Sequence, residues 1–154
     1  MNKFMQAAIE EAKLNLKTGD GGPFGAVIVK DGVIVSRGHN EVLKNNDPTC
    51  HGEIQAIRAA CQKLGTYDLT GCELYTSAEP CPMCLSAIIW ANIKKVYYAN
   101  SAADTAAIGF RDDFMYKFIE DGCTNKKILE QQQLNRDEAI KTFQEYKKKQ
   151  MTIY

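Results

Sequence analysis

A chain of 154 residues is long enough to bury a sizeable core and short enough to be one domain spanning 1–154. Nineteen basic residues balance nineteen acidic ones, so no global positive field recruits a polyanion, which argues against nucleic acid as a partner. No apolar run reaches membrane-span length and Met1-Asn2-Lys3-Phe4 lacks the basic-then-apolar pattern of a secretory leader, so a soluble cytoplasmic protein with no membrane partner is expected.

Residues 2–17 place Phe4, Met5, Ala8, Ile9, Ala12 and Leu16 at helical spacing, which predicts an amphipathic helix closed by the Gly-rich loop 18–23. Residues 24–30 and 33–40 are β-branched runs separated by Asp31-Gly32, a two-residue hairpin signal. An exposed loop over 41–49 then delivers the chain to His51, which opens a helix to Leu64 with Ile54, Ile57, Cys61 and Leu64 on one face and a stop at Gly65. Residues 72–77 form a strand feeding into Pro80-Cys81. Residues 82–91, apolar almost all round, read as a buried helix, and 95–99 as a fourth strand. Beyond it, 101–120 reads as irregular chain with one helix at 114–119, 127–134 as an edge strand, and 136–149 as a helix with Ile140 and Phe143 inward. The order predicts an α/β fold in three α/β/α layers, a mixed sheet of about five strands flanked by helices.

Two segments carry chemistry. His51-Gly52-Glu53 and Pro80-Cys81-Pro82-Met83-Cys84 give H-x-E, 26 intervening residues, then P-C-x-x-C. Zinc prefers nitrogen and sulfur donors in a tetrahedron, and His51, Cys81 and Cys84 would fill three positions, leaving the fourth for water. Three-residue spacing puts both sulfurs on one side of an opening helical turn, where the N–H groups favour thiolate, and Pro82 suits that turn. Glu53 is placed to lean over the open position without ligating. Hydrolytic loss of an amino group from a heteroaromatic ring needs an activated hydroxide, a proton on ring nitrogen and a proton on the amine, and one carboxylate can serve all three. A lone C-x-x-C also fits a redox pair or half a structural zinc knuckle, but no second C-x-x-C completes a four-ligand site. Cys50 as a fourth ligand would close it. The remaining cysteines read as free buried thiols.

On these motifs, and on the order of elements from Gly22 to Ala99, the chain resembles the cytidine deaminase-like superfamily of zinc deaminases. Within it the chain is similar to the small bacterial guanine deaminases, through the run Gly21–Lys30, Asn46-Asp47-Pro48-Thr49, Trp90, Gly109-Phe110 with aspartates following, and a terminal Tyr154. The resemblance implies the cytidine deaminase-like fold, a Zn²⁺ cofactor and hydrolytic deamination of a purine, guanine to xanthine and ammonia, by zinc-bound hydroxide with Glu53 as proton shuttle. It also implies that Phe24 stacks on the base, Asn40 hydrogen-bonds its edge, the backbone at Gly52 borders the ring and Trp90 walls the pocket. An aspartate after the Gly-Phe pair reads the purine, which falls on Asp112 with Asp113 as rival because Arg111 intervenes. Tyr154 would close over the site as part of a C-terminal segment swapped in a homodimer. The family usually has alanine where this chain has Gly52, and the change reads as tolerated. A tRNA adenosine deaminase or another nucleoside or nucleotide deaminase on the same scaffold is the alternative, and a non-catalytic zinc or purine-binding module a second, against which Glu53 argues.

Overall fold

A computed structural model of the chain describes residues 2–154. Its elements are α1 (Lys3–Thr18), β1 (Gly25–Lys30), β2 (Val33–His39), α2 (Val42–Asn45), α3 (Gly52–Leu64), β3 (Cys72–Ala78), α4 (Pro82–Trp90), β4 (Lys95–Asn100), α5 (Ala102–Ala107), α6 (Asp113–Glu120) and α7 (Arg136–Lys148). They fall into two compact units, residues 2–116 and 117–154.

In the first unit one sheet runs in the order β2-β1-β3-β4. The β1–β2 and β1–β3 pairs are antiparallel and β3–β4 is parallel. Antiparallel neighbours can be joined by a tight turn, and Asp31 and Gly32 supply one, both with positive φ (49° and 74°) as the two-residue hairpin requires. Parallel neighbours need a crossover, and α4 is that crossover. Strand β1 is central and apolar on both faces. Ala26 and Ile28 join Ala56 and Ala60 of α3 and Ile88 of α4 in one core, and Val27 and Val29 join Ala7 and Ala8 of α1 in the other. The result is three layers, with α1 on one face and α3 and α4 on the other.

The sheet has four strands, one fewer than the sequence suggests. Residues 127–134 form no strand: Asn125 accepts from the backbone N–H of Lys127 through its side chain and from those of Ile128 and Leu129 through its carbonyl, turning the chain where a strand would extend it. The inward face of α3 also differs. Gly52, Glu53, Ala56 and Ala60 are buried, while Ile54, Ile57 and Cys61 are partly buried and Leu64 is exposed. Small residues lie inward because α3 packs directly on the strands. In α4 only Pro82, Cys84 and Ile88 are buried, and the far face leaves Ile89 and Trp90 at 64% and 70% exposure. A nine-residue helix laid on a sheet covers one face, so an all-round apolar sequence leaves the other uncovered. Helices α2 and α5 lie where loop or irregular chain is expected. A capping box between Ser101 and Asp104 starts α5.

The second unit continues α6 into a turn at 121–123 and carries α7, none of whose residues is buried. No described helix is long and apolar enough to cross a membrane.

Candidate active site

Both chemistry-bearing segments begin a helix, the second directly after β3 and the first after β2, the short helix α2 and a turn. His51 is the N-cap of α3 and Cys81 the N-cap of α4, with Pro82 in the first turn. Their backbone torsions are extended at the cap and helical after it, so the caps present their side chains at the helix mouths. His51 Nδ1 lies 3.6 Å from the sulfur of Cys81 and 3.6 Å from that of Cys84. A tetrahedral ion with Zn–S of about 2.3 Å and Zn–N of about 2.05 Å holds such donors about 3.6 Å apart, so the three side chains fit zinc.

The charges agree with that fit. Bonding from the Cys84 thiol is the main cause holding the Cys81 thiol down at about 4, and His51 adds to it against burial. Cys84 is pushed up, first by holding the proton it shares with Cys81 and then by burial. One thiolate and one thiol thus share a proton, which is the place a divalent cation takes. His51 is raised, chiefly by its bond to Cys81.

Glu53 is 6% exposed. Its carboxyl accepts from Thr76 Oγ1 at 3.3 Å and from Cys84 Sγ at 3.5 Å, which aims it across the His51, Cys81 and Cys84 cluster. Burial pushes its pKa up, the direction that suits a group exchanging protons near neutrality.

These groups open onto a cavity of about 660 Å³. Phe24, Asn40, His51, Glu53, Glu79, Cys81 and Asp112 all line it, with Leu43, Pro48, Phe110 and Met115 as apolar wall. Phe24 meets Phe110 edge to face at 5.1 Å, which fixes its ring. Asn40 is buried at 5%, and its side-chain oxygen accepts from the Val42 N–H at 3.1 Å. Asp112 lines the cavity and burial lifts its pKa, while Asp113 is paired with Arg111 at 2.9 Å on the exposed side. Glu79 accepts from the backbone N–H of Ala102 at 3.0 Å, anchoring the start of α5.

Two expected contacts, Gly52 and Trp90, lie elsewhere in the unit that holds the cavity. Gly52 does not line the cavity: a Cβ there would sit 3.1 Å from Gly25 Cα, so it is the point where α3 touches the start of β1. Trp90 is at the far end of α4 from Cys81 and faces outward. Tyr154 belongs to the second unit and is 80% exposed. Sequence reading missed Tyr116, whose hydroxyl donates to the Pro80 carbonyl at 2.6 Å and braces the turn carrying Cys81. Its pKa is pushed up to about 12, first by burial. No motif marks that tyrosine.

Residues 1–100 match the family model described as the cytidine and deoxycytidylate deaminase zinc-binding region. The chain belongs to this zinc-binding deaminase family. A relative named guanine deaminase, from Bacillus subtilis (strain 168), is 52% identical to the deaminase over 125 residues, 81% of this chain and 80% of that one. A tRNA-specific adenosine deaminase from Aquifex aeolicus is 46% identical over 96 residues, covering 62% and 63%. A crystal structure of the Bacillus subtilis guanine deaminase superposes with a TM-score of 0.90 at 47% identity, covering 96% of this chain and 95% of that one. The deaminase therefore has an α/β fold and is a hydrolase of the zinc-dependent deaminating class.

Proposed function

We propose that the chain hydrolyses guanine to xanthine and ammonia as a single zinc-dependent deaminase domain over 1–154. The observation that carries this reading is the whole-chain similarity to a guanine deaminase, together with a cavity that brings Glu53 and Asp112 to one space. His51, Cys81 and Cys84 are the residues that hold zinc, which when bound supplies a Lewis acid that brings the pKa of a water down toward neutrality. Glu53 takes one proton from the attacking water and gives it to ring nitrogen, then takes the second from the hydroxyl added at the ring carbon and gives it to the amine, which departs as ammonia. Phe24 stacks on the base and Asn40 bonds its edge. Asp112, lifted by burial, accepts from the N–H donors of the purine. The apolar wall excludes water from the reacting face.

Similarity to tRNA-specific adenosine deaminases keeps that activity as the alternative on the same scaffold. The balanced charge favours a small purine over RNA. We assign the cytoplasm on six unpaired thiols, which suit a reducing compartment. A homodimer with exchanged C-terminal segments is supported by the exposed Leu134, Phe143 and Ile153 of the second unit and by Trp90 of the first. Tyr154 of such a segment closes over a site.

Ammonia release from guanine, adenine, cytosine, guanosine, cytidine and a tRNA anticodon stem-loop separates the readings. Guanine alone is expected to react, and Glu53→Ala to lose about 10²–10⁴-fold in kcat with zinc still bound. Turnover of the stem-loop or a nucleoside in place of guanine overturns the substrate, and silence on every member of the panel overturns the hydrolase reading of the cavity.

A further inference from the structure

Outside the metal cluster, the described residues hold one other close group of metal-ligating side chains: Asp20, His39 and Glu41. His39 ends β2, directly before Asn40, and its ring lies between three elements. Nδ1 faces Glu11 Oε2 of α1 at 3.3 Å. Nε2 faces Asp20 Oδ2 at 3.3 Å, in the loop that leads to Phe24, and Glu41 Oε1 at 3.7 Å, in the loop that follows Asn40. Arg37 reaches Glu11 at 3.6 Å, and Lys44 reaches Glu41 at 2.7 Å and Asp20 at 3.7 Å. Side chains of the three carboxylates are only 13–20% exposed, so their charges interact through poorly hydrated space.

We infer that His39 is a positioning residue for the base: a polar clamp that holds the 19–24 and 40–45 loops together and so sets the separation of Phe24 and Asn40. Both ring nitrogens face carboxylates, Glu11 of α1 on one side and Asp20 on the other, so the ring bridges α1 and the Asp20 loop. Arg37 and Lys44 are the cations set against the three carboxylates. Lys44 already lies against Glu41 and Asp20, so the cation this group takes is a side chain and not a second metal. The backbone repeats the clamp. The Asp20 carbonyl accepts from the N–H groups of Leu43 and Lys44 at 3.0 Å each. The Asn15 amide donates to the carbonyls of Gly22 at 2.6 Å and Asn40 at 2.8 Å. Gly21 lies so close to the Asn40 side chain that a Cβ there would overlap its oxygen. Any loosening at His39 is therefore passed to the two residues that line the cavity from these loops.

The inference rests on reading Phe24 and Asn40 as base contacts, and its test has an arm that does not. In zinc-loaded His39→Gln, hydrogen exchange in peptides covering 19–24 and 40–45 is expected to quicken about tenfold, as loss of one charge-assisted bond allows. KM for guanine should rise about five- to tenfold with kcat within about twofold, because Glu53 and the metal ligands are untouched. Asp20→Asn should move both readouts in the same direction, and serves where His39→Gln does not fold. Unchanged exchange in both loops overturns the clamp. A fall in kcat at constant KM overturns the positioning role. A second equivalent of zinc bound by the unmodified chain and lost in His39→Gln replaces the clamp with a metal site. If the unmodified chain does not turn over guanine, the substrate reading has failed, and the exchange arm still decides the clamp.

Discussion

Asp112 and Asp113 are neighbours in the chain with opposite surroundings. The first lines the cavity near Cys81, whose charge, after burial, lifts its pKa; the second is held below the usual carboxylate range by Arg111 in solvent. A carboxyl already partly withdrawn from water loses less on meeting a purine N–H, whereas one paired with a guanidinium must give up a partner. Asp112→Asn is accordingly expected to lower kcat/KM for guanine about 10–100-fold, mostly through KM, while Asp113→Asn stays within about twofold. Steady-state kinetics on the two variants checks both, and equal losses would show that the pair acts as a unit. Which aspartate faces inward was not legible in the sequence, because the register hinges on how Arg111 points. That His51, Cys81 and Cys84 come together was legible, since zinc tolerates few donor types and the spacing of Cys81 and Cys84 fixes their common side.

At the scale of elements, contact between α3 and β1 has the least slack. A Cβ at Gly52 would meet Gly25 Cα at 3.1 Å and the Phe24 carbonyl oxygen at 3.2 Å. Gly25 cannot retreat, because on its other side a Cβ position lies 2.6 Å from the Ala8 carbonyl oxygen of α1. Alanine is the better helix former by up to about 1 kcal/mol, yet overpacking a pinned backbone costs about 1–3 kcal/mol, so strain prevails. Gly52→Ala should lower the melting temperature by about 3 °C per kcal/mol lost, read by calorimetry. The sequence expectation is that glycine in place of the family's usual alanine is tolerated; the packing makes it the residue that fits. Helical periodicity also misplaced the α3 face, since close approach to a sheet selects small residues and a count of large apolar ones points away from it. The four strands that exist are runs of β-branched or alternating residues. The fifth, expected over 127–134, has Ile128 and Leu129 adjacent, so these two cannot share a strand face.

For the whole molecule, the exposed apolar side chains are the feature that asks for an explanation. Ile89 and Trp90 at the end of α4, and Leu134, Phe143 and Ile153 in the second unit, are all more than half exposed. Light scattering should report a mass of twice the 17.2 kDa chain, and replacing Trp90 and Ile89 by polar residues should shift it toward one. A single-chain mass for the unmodified protein at assay concentration would remove the dimer. Layer order and the position of the site at the mouths of two helices were legible because alternation of strands and helices admits few arrangements. Placement of the last third was not, since its sequence has few buried positions to pattern it.

The hairpin at Asp31-Gly32 has a practical use. Strand β1 begins beside Phe24 at the cavity and ends at this turn, about 20 Å away at the usual rise of a strand. Residues 30–33 are exposed, and both turn residues already tolerate unusual backbone angles. A peptide tag, a fluorophore or new chain ends could be grafted there, giving a handle for immobilising the enzyme with its reactive mouth facing outward.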